Sequence, residues 1–194
     1  MRRLCVFCGS AVGSGSAYAE AARRMGEAMA GRGLGLVFGG GHVGLMGVLA
    51  DAVLQAGGEV IGVIPQALVD RELAHGGLTE LHVVGTMHQR KARMADLADG
   101  FLALPGGFGT ADELFEILTW SQLGLHAKPV GVLNVAGFFD LLLAWLDHAV
   151  AQGFLRSEHR RLLQVAENAD ALLDRILRFR PPAQTPKWIK PEDR

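Results

Sequence analysis

The sequence is short of the residues that would place it in several familiar protein classes. Of its 194 residues only two are cysteine, Cys5 and Cys8, in the apolar run Leu4-Cys5-Val6-Phe7-Cys8. A C-x-x-C is half of a zinc site or a redox pair. No second one completes a zinc set, and strand positions three apart face opposite sides of a sheet. The expectation is two buried core thiols in a reducing, cytoplasmic setting. A basic surplus is also missing. Nineteen Lys and Arg against twenty Asp and Glu leave a net charge of −1, which offers nucleic acid no cationic field. Lysine is scarce (Lys91, Lys128, Lys187, Lys190) and none follows a glycine, so there is no Walker A loop. The longest uncharged stretch, residues 33–50, is interrupted by Gly39-Gly40-Gly41-His42 and reads as strand, loop and helix rather than a membrane span. Behind Arg2-Arg3 the apolar run ends within about five residues, too short for an export signal.

Proline is sparse until the end. Pro65 and Pro105 close apolar runs and Pro129 precedes one, while Pro181, Pro182, Pro186 and Pro191 crowd a charged, unpatterned tail. Residues 1–180 are therefore expected to form one domain, with 181–194 an extended appendage. What the chain does have is apolar content: 49% hydrophobic, 20% charged and a mean hydropathy of +0.23, enough to exclude disorder. Continuous apolar runs at 4–8, 34–38, 60–64, 81–84, 101–104 and 130–135, with a weaker one at 163–165, read as strands buried on both faces. Amphipathic stretches at 17–30, 45–56, 87–98, 111–123, 139–151 and 169–179 alternate with them. That order predicts an α/β fold with a doubly wound, mainly parallel sheet, Rossmann-like in architecture.

Glycine is in excess: 26 residues, about 13% against an ordinary ~7%. Eleven of them lie in three clusters, at 9–15, 39–47 and 106–109, each between a predicted strand and a predicted helix. Ligands of open α/β sheets bind at such strand ends. Bare backbone amides at helix N-termini favour a phosphate there, although tight turns alone would also use glycine. Gly39, Gly41 and Gly44 satisfy G-x-G-x-x-G, but the only acid at a suitable distance, Glu59, precedes its strand instead of ending it, which weakens a dinucleotide reading.

Two further segments carry charge. In Met87-His88-Gln89-Arg90-Lys91, adjacent cations stand near a helix N-terminus that disfavours them. A nearby anion would resolve this, and so would a solvated basic face. In Thr110-Ala111-Asp112-Glu113 the S/T-x-x-E spacing fits a capping box, while the place beside Pro105-Gly106-Gly107 sets Glu113 next to the expected phosphate. A carboxylate there can activate water or stabilise a cationic sugar.

These segments resemble the Lonely guy family of cytokinin riboside 5′-monophosphate phosphoribohydrolases, long mislabelled as lysine decarboxylases. Residues 105–113 match its PGGxGTxxE motif and 87–91 its MHxRK motif. The opening CVFCGS at 5–10, GGGxVGLMG at 39–47 and TWSQLGLHAKPV at 119–130 fit as well. The resemblance covers roughly residues 4–179. It implies hydrolysis of the N-glycosidic bond of adenosine-type 5′-monophosphates by a homodimer needing neither metal nor cofactor. It makes Arg90 and Glu113 catalytic. Substrate-binding positions fall on Ser10, Gly40, Gly41, Glu72, Met87, Lys91, Gly106, Gly107, Phe108, Gly109, Thr110 and Thr119. Ala111-Asp112 replaces the Leu-Glu pair common before the final glutamate, without touching a catalytic position.

Three other functions remain to be weighed. A non-catalytic nucleotide or molybdenum-cofactor carrier shares the scaffold, but intact Arg90 and Glu113 argue against it. A dinucleotide-dependent oxidoreductase is disfavoured by the misplaced acid. A pyridoxal-phosphate decarboxylase needs a Schiff-base lysine, and neither Lys91 nor Lys128 has an evident pyridinium partner.

Overall fold

A computed structural model describes residues 1–71 and 73–181 of the chain. Glu72 and the tail from residue 182 onward lie outside the described residues. Seven strands form one fully parallel sheet: β1 (Arg3–Phe7), β2 (Gly35–Phe38), β3 (Val60–Pro65), β4 (Glu80–Val84), β5 (Gly100–Ala103), β6 (Val130–Leu133) and β7 (Leu163–Ala166), in the order β4-β3-β2-β1-β5-β6-β7. All seven expected strands are present, the weak one included. The helices are α1 (Ser16–Gly31), α2 (Gly44–Gln55), α3 (Gln66–Val69), α4 (Met87–Leu97), α5 (Phe108–Gln122), α6 (Asp140–Ala151), α7 (Ser157–Arg160) and α8 (Ala169–Arg178). The single-turn helices α3 and α7 are too short to leave a periodic pattern in the sequence.

The apolar runs of the five inner strands follow from burial on both faces. The edge strand β4, expected to be buried, is mostly exposed, and the other edge, β7, is half-buried, because no strand or helix layer covers the outer side of an edge as fully. Leu4 and Val6 of β1 pack with Met25 of α1, Leu49 of α2 and Leu172 of α8. Cys5 and Phe7 point the other way, onto Met94 of α4, Leu114 of α5 and Leu146 of α6. Cys8 falls in the first layer and Cys5 in the second, so the thiols diverge as expected and both are free. Burial pushes both thiols up, helped by the nearby Glu113 carboxylate. The central β1 is flanked by β2 and β5. Chain connections run outward in opposite senses from this pair, so the carboxyl ends of β1 and β5 form the switch-point crevice where such folds bind ligands.

Candidate active site

At that crevice lies a cavity of about 380 Å³, within the range of small-molecule sites. Its lining begins where β1 ends, at Cys8, Gly9 and Ser10, and continues through Gly39 and Gly41 after β2 and residues 107–110 after β5. The loops are stitched together: the Gly9 amide donates to Pro105 O at 3.0 Å and the Leu45 amide to Gly9 O at 3.0 Å. Helices α2 and α5 both start here, and neither has a side-chain cap. Both positive dipole ends thus face the cavity; the first residues of α5 line it, whereas the Leu45 amide of α2 is already given to Gly9 O. The first cluster, at 9–15, contributes less than its glycine count implied. Gly13 and Gly15 lie against the Tyr18 ring, and among the cluster's residues only Gly9 and Ser10 line the cavity.

The start of α5 corrects one expectation. The helix begins at Phe108 with Gly107 as its cap, so Thr110 is inside the first turn and the Thr110–Glu113 capping box does not form. Thr110 is buried, its hydroxyl occupying the space a side chain at Gly106 would need. Glu113, freed from capping, is also buried and faces the cavity. A real capping box starts α4: the Gln89 amide donates to Thr86 Oγ1 at 3.1 Å, and the Thr86 amide to Gln89 Oε1 at 3.2 Å. This box sets Arg90 at the end of the first helical turn.

From there Arg90 reaches back to the sheet. Its Nε donates to Val63 O at 3.1 Å, and its Nη1 stands 3.4 Å from Glu113 Oε1. The guanidinium fills the space above Gly39, where any Cβ would overlap it. Burial raises the Glu113 pKa, and the Arg90 charge opposes that rise only in part. Within the chain, a carbonyl and a carboxylate face the first of the two cations near the start of α4. Lys91 is taken up by Glu116 at 3.0 Å and Asp112 at 3.1 Å, which ties α4 to α5. Burial alone would lower the Lys91 pKa, but these two hydrogen bonds hold it above its ordinary value.

Among the expected site residues, the structure brings Ser10, Gly41, Met87, Arg90, Gly107, Phe108, Gly109, Thr110 and Glu113 to the cavity. Gly40 lies behind its wall, against Ile64 and Leu81, and Gly106 faces a neighbouring apolar recess. Lys91 is engaged between helices. Thr119 donates to Phe115 O within α5 and lines a separate groove. An apolar wall was not anticipated: Met46 from α2, Ile64 from β3, and Leu68 and Leu73 from the segment joining β3 to β4. The position of that segment, after a strand's carboxyl end, was the available signal. Among the described residues no cluster of His, Cys, Asp and Glu is arranged to hold a metal, and no helix is long and apolar enough to cross a membrane.

A family model described as "Possible lysine decarboxylase" matches residues 46–176. The chain is 50% identical over 189 residues to the probable cytokinin riboside 5′-monophosphate phosphoribohydrolase LOGL5 of Oryza sativa subsp. japonica, covering 97% of this chain and 77% of that one. It is 49% identical over 180 residues to the cytokinin riboside 5′-monophosphate phosphoribohydrolase LOG2 of Arabidopsis thaliana, covering 93% and 84%. Among solved structures, the molybdenum cofactor carrier protein from Chlamydomonas reinhardtii matches with a TM-score of 0.68 at 21% identity, over 90% of this chain and 97% of that one. The molybdenum cofactor binding protein from Rippkaea orientalis matches with a TM-score of 0.69 at 20% identity, over 91% and 96%. At such identities the two structures speak to the fold alone.

Proposed function

The chain belongs to the LOG family of cytokinin riboside 5′-monophosphate phosphoribohydrolases, and on that premise we propose that its cavity hydrolyses adenosine-type 5′-monophosphates. The substrate is a cytokinin riboside monophosphate or AMP, and the products are free base and ribose 5-phosphate. The observation that carries this reading is the buried Arg90–Glu113 pair beside two uncapped helix N-termini.

The glycine loops and helix starts hold the 5′-phosphate, with Arg90 as the side-chain cation best suited to it. Phosphate binding remote from the bond to be broken orients the ribose. Glu113 stands by the anomeric carbon, where a carboxylate stabilises an oxocarbenium-like state and deprotonates water. The water oxygen bonds to C1′ as the C1′–N9 bond breaks. The departing base takes up a proton at N9 from solvent water, and Glu113 returns the proton it took to solvent, so the net reaction consumes one water. Ser10, Gly41, Met87, Gly107, Phe108, Gly109 and Thr110 supply the remaining contacts. A carrier has no use for a desolvated carboxylate at this place, which favours the enzyme over the carrier.

The chain also works as a homodimer in this reading. Leu141, Trp145 and Phe154 are exposed, and Trp145 and Phe154 line an apolar groove together with Thr119. Large exposed apolar groups gathered on one side mark an interface. The two unpaired thiols accord with a cytoplasmic setting.

Incubation with AMP and with isopentenyladenosine monophosphate, followed by chromatography, tests the reading. Free adenine or isopentenyladenine with equimolar ribose 5-phosphate is expected. Nucleotide binding without base release would return the chain to the carriers.

A further inference from the structure

One wall of the cavity is supplied by no glycine loop. Leu68 and Leu73 come from the segment that joins β3 to β4. Residues 73–75 lie along the loop after β2 as a backbone strap. The His42 amide donates to Leu73 O at 3.0 Å, the His75 amide donates to Gly40 O at 2.9 Å, and Gly41 pairs with Ala74 in an antiparallel bridge. Beyond the strap the chain turns through Gly76 and Gly77, residues that add no side-chain anchor.

The anchor is the His75 ring. Its side chain is 10% exposed, and its Nε2 lies 3.0 Å from Asp51 Oδ1 on α2. Its Nδ1 accepts from the Gly77 amide at 3.1 Å. Because Nδ1 accepts, the ring hydrogen sits on Nε2 and is donated to the carboxylate. The imidazole thereby ties the strap and its glycine turn to α2, the helix whose N-terminus opens on the cavity.

We propose that His75, held by Asp51, is a positioning residue of this hydrolase. It clamps the strap to α2 and so fixes the Leu68–Leu73 wall and the loop after β2 around bound nucleotide. The proposal rests on the nucleotide hydrolase reading above. Its effect falls on substrate binding, because neither side chain touches the cavity while both the apolar wall and the loop from Gly39 to Gly41 depend on the clamp.

The test is a double-variant cycle with His75→Ala and Asp51→Ala. Each single variant is expected to raise KM about tenfold with kcat within about twofold, the size of one hydrogen bond to a charged acceptor. The double variant should be no worse than either single one, since both remove the same contact. His75→Gln, whose amide both donates and accepts, should recover most of the loss. Amide hydrogen exchange should quicken at His42 and at position 75 in His75→Ala and stay slow in β1. Additive effects, an unchanged KM, or a loss of protection that spreads to β1 would overturn the proposal. Calorimetric affinity for AMP on the same variants decides the clamp independently of turnover. A wild type that binds AMP but releases no base would sink the hydrolase reading and leave the clamp standing or falling on its own.

Discussion

The Arg90 guanidinium stands 3.4 Å from the Glu113 carboxylate, and the two side chains are only 11% and 10% exposed. Three elements converge to make this pair. The capping box of Thr86 and Gln89 starts α4 and presents Arg90, Val63 O at the end of β3 holds its Nε, and the glycine-capped start of α5 presents Glu113. Desolvation makes such a pair costly for stability unless each charge is well partnered. Here the cost is tolerated at the position where the proposed hydrolysis needs a carboxylate.

The first prediction concerns the Glu113 charge. Burial raises its folded pKa, so between the ordinary glutamate value of ~4.3 and the raised value the folded state binds more protons than the unfolded chain. The group's contribution to stability therefore falls as pH rises through that window. Glu113→Gln should melt above wild type at neutral pH, with the difference vanishing in acid below the ordinary carboxylate range. Activity should move the opposite way. The variant loses about 10²- to 10⁴-fold in kcat, and wild-type kcat/KM declines with acid at a pH above that of an ordinary carboxylate. Thermal melts and a pH–rate profile check both signs.

Glycines after β2 separate activity from folding. A methyl group at Gly39 meets only the far end of the Arg90 side chain, which can swing away. Gly39→Ala should keep its melting temperature within a few degrees and lose about a hundredfold or more in kcat/KM, the scale of a misplaced catalytic group. Gly44 has φ +62°, and a Cβ there would run into the backbone of Ser10. Gly44→Ala should instead lower the melting temperature clearly. Differential scanning calorimetry beside steady-state kinetics distinguishes the two.

Much of this was legible in the residues. Continuous apolar runs announced seven strands, and the five inner ones are buried because a parallel sheet covered on both faces leaves no polar alternation; the edge strand β4 is mostly exposed and β7 half-buried. The glycine clusters announced the edge of the sheet where the cavity lies. Local chemistry with two solutions was harder to read. Thr110 and Glu113 have the spacing of a capping box, and only the fold shows α5 starting three residues earlier, at Phe108. Lys91 follows Arg90 directly, yet one helical step of about 100° turns it from the cavity toward Asp112 and Glu116. The Leu68–Leu73 wall carries no motif, since an apolar side chain near a strand end looks the same whether it packs or lines a site.

Lys91 supplies the third prediction. It is expected to hold α4 against α5 rather than to contact phosphate, because both of its carboxylate partners stand within 3.1 Å. Lys91→Met should raise KM for AMP less than tenfold and leave the salt dependence of KM unchanged, whereas a lost phosphate contact weakens that dependence. Lys91→Met with Glu116→Leu should restore stability lost in the single variant, since replacing a buried ion pair by apolar groups is often neutral. Titrations of KM against ionic strength and melts of both variants test this.

The fourth prediction concerns assembly. Leu141 is 86% exposed, Trp145 56% and Phe154 87%. Leu141 and Trp145 are four residues apart on α6, hence on one helical face, and the nearby groove runs from Trp145 to Phe154 beside Thr119. Leaving such groups in water forfeits roughly 25 cal/mol for each Å² of apolar area, so a second copy of the chain gains by covering them. The wild type should elute and scatter light as a dimer. Leu141→Arg and Phe154→Glu should give monomers with unchanged circular dichroism, because neither side chain belongs to the core of its own chain. A wild type that stays monomeric at tens of micromolar would remove the dimer from the proposed function. It would also leave Thr119 with no route to a nucleotide, since within one chain its hydroxyl is spent on Phe115 O and its surroundings are the groove, not the cavity.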